Sequence, residues 1–393
     1  MTAFSIDELS PARDSNKALA GKTDAPVRRG ALAEVLDNAR RPAVADGGTN
    51  FRFYDNRQKY LMFVNTCSEK WVVAERVARE LDRLVPAPPA LRFFDAGMGD
   101  GTVLARILRS MHQRWPRIPF YIAGKEISIE DVRLTLDKMP DRFLEHPEMV
   151  LAVTNISYAE APWLTSRNAE AMQAMIWKEV ALTGSTTAEF ERQIHELQPF
   201  LAGHWRTKVS ERTGSMVPET PAVLLLYRQD CAFLLDRVIP KRESPRAEFD
   251  LVLASQPFRL RAKTQFKAAR VLAPLARALR PGGRLLGIHS AGNDPGLEIV
   301  QKVWPNEDPF TTSRRALIEA TREALGAEAA GFSFDPLPNS VALFGYEMNT
   351  LPDEIDGEQA SIGTSTLLAA WNAATYVAQI EDERLEVAMG NSA

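Results

Sequence analysis

Apolar positions along the chain follow two rhythms. Over Ser68–Leu84 (SEKWVVAERVARELDRL), Trp71, Val72, Ala74, Val77 and Leu81 recur at helical spacing. Ser68 is placed to cap that helix, and Pro86, Pro88 and Pro89 end it. Beyond them, short apolar runs alternate with helical stretches. Leu91–Ala96, Phe120–Ala123, Met149–Val153, Phe249–Ala254, Arg284–His289, Gly331–Phe334 and Ser340–Glu347 read as strands. Thr102–Arg114, Ile129–Met139, Phe266–Leu279 and Ser313–Leu325 read as helices. Strands separated by helices predict parallel βαβ units and a doubly wound α/β sheet.

Two regions depart from the alternation. Residues 161–246 form an insertion, mostly helical by composition over Asn168–Leu182 and Thr187–Leu197, with one apolar run, Ala222–Tyr227, that suits a strand. Residues 347–393 hold an acidic loop (DEIDGEQ) and a helix over Ser365–Ile380. At the other end, residues 1–50 are rich in Lys, Arg, Asp, Ser, Ala and Gly with no sustained period, which predicts a flexible tail. The expected organisation is therefore a tail (1–50), a helical cap (51–90), an α/β domain (91–346) interrupted by the 161–246 insertion, and a C-terminal segment (347–393).

Composition narrows the classes of function. With 45% hydrophobic residues in 393, the chain has material for a large core without staples. A formal net charge of −4 argues against a surface that clings to nucleic acid throughout. No apolar run approaches the roughly 20 residues that span a bilayer, and the N-terminus has no secretory apolar segment. Cys67 and Cys231 are the only cysteines, so neither a disulfide framework nor a cysteine-built metal site is expected. His195 and His204, near Glu191 and Glu196, lack ligand spacing, and no metal is expected there. A cytoplasmic protein that does not engage membranes is the expectation.

The most informative segment is Phe93-Phe94-Asp95-Ala96-Gly97-Met98-Gly99-Asp100-Gly101-Thr102. An apolar strand ends in an acid, glycines follow at alternate positions, and a helix begins. Such glycines allow a sharp turn and close approach of a ligand, and the helix start offers free N–H groups. The turn alone also serves dinucleotides and phosphates. Here, however, the carboxylate precedes the glycines and no phosphate-binding lysine follows, which favours a cationic or amine-bearing ligand. Glu126, after the second strand, suits the paired hydroxyls of a ribose.

Taken in order, these features resemble the class I S-adenosylmethionine-dependent methyltransferases. The resemblance rests on Asp95-Ala-Gly97-Met98-Gly99-Asp-Gly101, on Glu126, on Thr154-Asn155-Ile156, on Phe249-Asp250-Leu-Val-Leu-Ala-Ser255-Gln256-Pro257-Phe258, and on Leu279-Arg-Pro281-Gly282-Gly283-Arg284 before the fifth strand. It implies a seven-stranded, mostly parallel Rossmann-like sheet whose final strand, Ser340–Glu347, is antiparallel. It also implies S-adenosylmethionine as cofactor. By position, Asp95 and the backbone of Gly97, Met98, Gly99 and Gly101 would hold the methionine moiety and Glu126 the ribose. Asn155 and the Ile156 amide would meet the adenine.

Ser255-Gln256-Pro257-Phe258 is similar to the Asn-Pro-Pro-Tyr motif of amino-group methyltransferases, with Ser and Gln in place of the first two residues. It is either an amine clamp or a plain wall of the acceptor pocket. His289, ending the fifth strand, is a candidate general base or a packed strand-end histidine. Tyr54 and Tyr60 precede the core and are candidate acceptor-binding rings, whereas Trp71 is read as a helix anchor. The expected activity is in-line methyl transfer to a small molecule. One alternative is an RNA or protein methyltransferase using the run Arg259–Arg284, which holds eight basic residues and no acid. Another is a cofactor-binding subunit without catalysis.

Overall fold

Unbroken apolar runs become the middle of one sheet. The computed structural model describes residues 2–9, 57–211, 216–291, 294–335, 337–348, 364–380 and 384–385. In chain order its strands are β1 (Thr2–Leu9), β2 (Leu91–Asp95), β3 (Phe120–Lys125), β4 (Met149–Thr154), β5 (Ile176–Leu182), β6 (Thr207–Val209), β7 (Met216–Pro218), β8 (Ala222–Arg228), β9 (Phe249–Ser255), β10 (Leu279–His289), β11 (Phe332–Asp335) and β12 (Leu343–Phe344). The main sheet has the order β11-β1-β10-β9-β2-β3-β4-β8-β5. From β11 to β4 every neighbouring pair is parallel. These seven strands, flanked by helices, are the Rossmann-like α/β layout that the alternation predicts. Antiparallel pairing in this sheet occurs at β4–β8.

Three local expectations change. Residues 2–9, read as tail, form β1, which pairs with β10 on one side and β11 on the other. Thr2–Leu9 alternates Phe4 and Ile6 with Ser5 and Asp7, a strand period too short to stand out in a polar stretch. The remainder of 1–50 lies outside the described residues, as does the acidic loop after Pro352. The insertion holds strands as well as helices. It sends β8 and β5 into the sheet beyond β4, with every residue of β8 buried. Asn168 does start a helix, taking the Glu170 and Ala171 amides at 2.9 and 3.1 Å. That helix stops at Ala174, and Ile176, Trp177 and Val180 continue as strand β5 because parallel pairing with β8 outweighs helix propensity. Finally, Ser340–Glu347 is a helical turn (Asn339–Ala342) followed by the two-residue β12.

The chain divides into two compact units, one from Met1–Glu8, Lys70–His289 and Thr312–Ala342, the other from Leu9–Glu69, Ser290–Thr311 and Leu343–Ala393. In the first, Phe94, Tyr121 and Phe249 pack ring against ring with centroids 5.2 and 5.8 Å apart. The helix Glu69–Leu81 buries Val73, Ala74, Val77 and Leu81. Trp71 faces outward instead, with the Arg106 guanidinium 3.2 Å from its ring centre. The same helix buries Arg76 and Glu80. Glu80 takes Arg76 at 3.0 Å and Arg284 of β10 at 2.8 Å, so one carboxylate compensates two cations in a dry region. In the second unit, the helices Arg57–Thr66, Pro295–Val303 and Thr364–Val377 pack together. Val300, Ala374, Ala378 and Ile380 form its core beside the stacked Trp304 and Trp371, 5.7 Å apart.

Two outcomes follow from this packing. Glu80→Ala removes the buried carboxylate shared by Arg76 and Arg284 and is expected to cost about 3–5 kcal/mol in urea unfolding. Deleting residues 1–9 removes the strand between β10 and β11 and should lower the melting temperature clearly. An unchanged melting temperature would show that β1 adds nothing to the sheet.

Candidate functional site

In an open parallel sheet, ligands bind beyond the carboxyl ends of the strands. There β2 delivers Asp95, which is 2% exposed and accepts the Gly97 amide at 3.3 Å. Burial pushes its pKa up to about 7; the Gly97 amide and the Lys70 cation pull the other way, and Glu126 adds a further upward push. A carboxyl poised near neutrality in this position gains by meeting a cation. The chain then turns on Gly99 and Gly101, both with positive φ (52° and 77°). At Gly101 a side chain would also collide with Thr135. A Cβ at Gly97 would meet nothing within 4 Å, so the turn keeps one open face. Met98 contributes only its backbone there, since its side chain is buried against Gly124.

The turn is fixed mainly by Glu126. Its Oε2 accepts the Gly99 amide at 3.0 Å, and its Oε1 accepts those of Ile127 and Ser128 at 2.8 and 2.9 Å. Thr135 donates to the Gly99 carbonyl at 2.9 Å and Lys138 to that of Asp100 at 2.6 Å. The insertion braces the same point, because the buried Trp205 donates Nε1–H to the Glu126 carbonyl at 2.9 Å. Oε1 already takes two amides, whereas Oε2 takes one and keeps a second lone pair, so one ribose hydroxyl can still be accepted there.

The adenine expectation for Asn155 is not carried by the geometry. Its Nδ2 donates to the carbonyls of Thr220 (3.0 Å) and His204 (3.4 Å), and its Oδ1 accepts the Ala222 amide at 2.8 Å. Asn155 is buried, and its side chain fastens the insertion to the end of β4. The Ile156 amide reaches back to Thr154 Oγ1 at 3.4 Å, a long contact, and the Ile156 side chain joins the core.

A third element bridges the crevice. Tyr158, after β4, donates its hydroxyl to the Pro257 carbonyl, after β9, at 2.9 Å. In the sheet order β9-β2-β3-β4 this bond links the two loops flanking the strands that carry Asp95 and Glu126. The Lys125 ammonium lies 4.6 Å from the Tyr158 ring centre. Burial depresses the Lys125 pKa, partly offset by Glu126. Burial raises that of Tyr158, reinforced by Glu126 and Asp95, so both residues sense the same local field.

Pro257 belongs to the degenerate motif. Ser255 ends β9, and Gln256 has a φ of 50°, a left-handed conformation that non-glycine residues rarely adopt. Such strain persists only where surroundings enforce it, and it clusters at functional sites. Phe258 is half-buried, with the Lys267 ammonium 5.1 Å from its ring centre. His289 ends β10, buried and in register opposite Glu8 of β1. Tyr60 belongs to the second unit, buried 5.5 Å from Tyr376. Tyr54 lies outside the described residues.

The basic run is mixed in exposure, with Arg261, Lys263, Arg270 and Arg277 exposed. Arg277 pairs with Glu328 at 2.8 Å, Arg280 with Asp250, and Arg284 with Glu80, while Lys267 is buried. Tyr158, Lys125, Lys267 and Asp294 were not legible as special in the sequence. Asp294, in the second unit, caps the helix Pro295–Val303 through the Gly296 amide at 2.8 Å and accepts the Tyr346 hydroxyl at 2.8 Å. Its Oδ2 is buried with no hydrogen-bond partner among the described residues, and burial pushes the pKa up to about 6. The one local cue was Asp-Pro, a cap followed by the residue favoured at a helix start.

No protein-family model matches the chain, and no curated protein matches it. Fold and site together define a Rossmann-like α/β protein whose candidate site lies at the carboxyl edge of β2, β3, β4 and β9. Among the described residues no group of three or more side chains is arranged to hold a metal, and no helix is long and apolar enough to cross a membrane.

Tyr158→Phe tests the bridge. Loss of one hydroxyl donor is expected to cost about 1 kcal/mol and to speed amide exchange at Phe258–Leu260 while leaving the β2 and β3 amides protected. Equal exchange in both proteins would mean that the bond does not hold the loop.

Proposed function

We propose that the sheet-bearing unit binds S-adenosylmethionine at the Asp95–Gly101 turn and transfers its methyl group to a small-molecule acceptor. The observation that carries this reading is the pairing of two unlike carboxylates at the ends of adjacent strands. Asp95 is desolvated, without a strong donor, and beside an open glycine face. Glu126 is anchored by three backbone amides and keeps one acceptor site, on Oε2, for a hydroxyl. The first suits the ammonium of the methionine moiety, the second a ribose. The donor half of the crevice fits the cofactor at those two points. It does not fit through the Asn155 side chain, so the adenine would lie against apolar surface and backbone.

The cofactor supplies a methyl group already activated on sulfonium. What remains for the chain is to orient the acceptor and exclude water. The Gln256–Phe258 loop, held by Tyr158, would form the acceptor wall. A hydroxyl acceptor must also lose a proton, and this reading gives that role to His289, which ends the strand next to β9.

Calorimetric titration tests the proposal. Asp95→Asn should abolish measurable S-adenosylmethionine binding, and Glu126→Ala should weaken it by about 1–3 kcal/mol. A cation favours the ionised form of Asp95. Wild-type affinity should therefore rise with pH through about 7 and level off above it, with proton release on binding below that pH. Indifference of the wild-type protein to both the cofactor and its demethylated product would sink the reading.

A further inference from the structure

Lys267 is out of keeping with its surroundings. It is 2% exposed. Its ammonium donates to the Leu260 carbonyl at 2.7 Å and to Thr312 Oγ1 at 3.1 Å, and it faces the Phe258 ring at 5.1 Å. Every one of these partners is neutral. No acidic side chain among the described residues accompanies it, and desolvation alone, with no charged neighbour, brings its pKa down to about 8. Buried charges in proteins are ordinarily paired, because an isolated one forfeits its hydration for nothing in return. An ammonium has three donors, and two are used here.

The place matters as much as the charge. Lys267 closes the helical turn Thr264–Lys267, and a π-helical turn, Ala268–Leu272, follows at once. Such turns in otherwise α-helical segments recur at functional sites. The residues it touches, Phe258 and Leu260, continue the strained loop that begins at Gln256. Two half-buried hydroxyls stand beside it, Thr264 Oγ1 lying 3.5 Å from Thr312 Oγ1. A cation with a spare donor, two hydroxyls and an aromatic edge form a recognition set for an oxyanion.

We propose that Lys267, with Thr264 and Thr312, is a binding site for an anionic oxygen group, a carboxylate or a phosphate, carried by the methyl acceptor. This rests on the methyl-transfer reading for the identity of the acceptor, but the anion site stands on its own geometry. It narrows the acceptor to an acidic small molecule and gives Lys267 the role of a specificity residue. If Lys267 served only to fasten the loop, its neutral acceptors would suffice and free anions would leave the protein unaffected.

The test uses the full chain as wild type, Lys267→Met and Lys267→Arg. Melting temperature is measured in sodium acetate and in sodium phosphate against sodium chloride at equal ionic strength. Acetate or phosphate should raise the wild-type value by roughly 2 °C or more, as expected when an anion binds the folded state alone. The arm that acts identifies a carboxylate or a phosphate. The rise should vanish in Lys267→Met and persist in Lys267→Arg. Neither anion acting on the wild type, or equal responses in wild type and Lys267→Met, would overturn the site. Should Lys267→Met fail to fold, lysine side-chain NMR of the wild type decides: an anion must shift a lysine signal that is missing from Lys267→Arg. S-adenosylmethionine titration of the same samples separates the two readings. Cofactor binding without an anion response removes this site and leaves methyl transfer standing. An anion response in a protein indifferent to the cofactor keeps the site and removes the reaction around it.

Discussion

The carboxylate of Glu126 organises the sheet edge that carries the candidate site. Three backbone amides converge on it, one from the glycine turn after β2 and two from its own loop after β3. Charge-assisted bonds of this kind are short and roughly twice as strong as neutral ones. Here they join the loops that follow two paired neighbouring strands. The turn can therefore keep positive φ at Gly99 and Gly101 and an open face at Gly97 without collapsing onto the sheet. The insertion reinforces the arrangement through Trp205, which grips the carbonyl of the same glutamate.

Around that fixed point the chain places its ionisable groups in unlike surroundings. Asp95 is desolvated and its acidity weakened, Lys125 is buried beneath an aromatic ring, and Lys267 lies farther along the edge with neutral partners only. Elsewhere in the same unit, buried charge is compensated. Glu80 joins Arg76 and Arg284, and Asp250 joins Arg280. The contrast is physically informative. Desolvated charge reduces stability, and at this edge Asp95 and Lys125 sense an opposite charge (Lys70 and Glu126) while Lys267 bonds neutral acceptors, so a ligand of opposite charge would relieve that cost.

The insertion has a structural role that its composition did not suggest. By adding β8 and β5 beyond β4 it extends the sheet, and by capturing the amide of Asn155 it removes from the crevice a side chain whose position resembled a ligand contact. Tyr158 is also held by a partner distant in sequence, Pro257, across the crevice. Both residues follow β4 within a few positions, yet one faces the added strands and the other the β9 loop.

The pattern of apolar runs and punctuating glycines determined the parallel core of the sheet: β2, β3, β4, β9, β10 and β11 fall where the sequence places them, and so does the glycine turn with its acid. Those features are local, since a buried parallel strand needs a continuous apolar run and a left-handed turn needs glycine. Tertiary structure alone decided the rest. Thr2–Leu9 becomes a strand only because β10 and β11 offer free edges on either side, and Ile176–Leu182 leaves the helix only because β8 pairs with it. Whether Asn155 or Glu126 keeps spare acceptor capacity, and whether Lys267 is solvated or buried, depends on groups tens to hundreds of residues away. Hydrogen bonding and desolvation are set by spatial neighbours, and no window of sequence contains them.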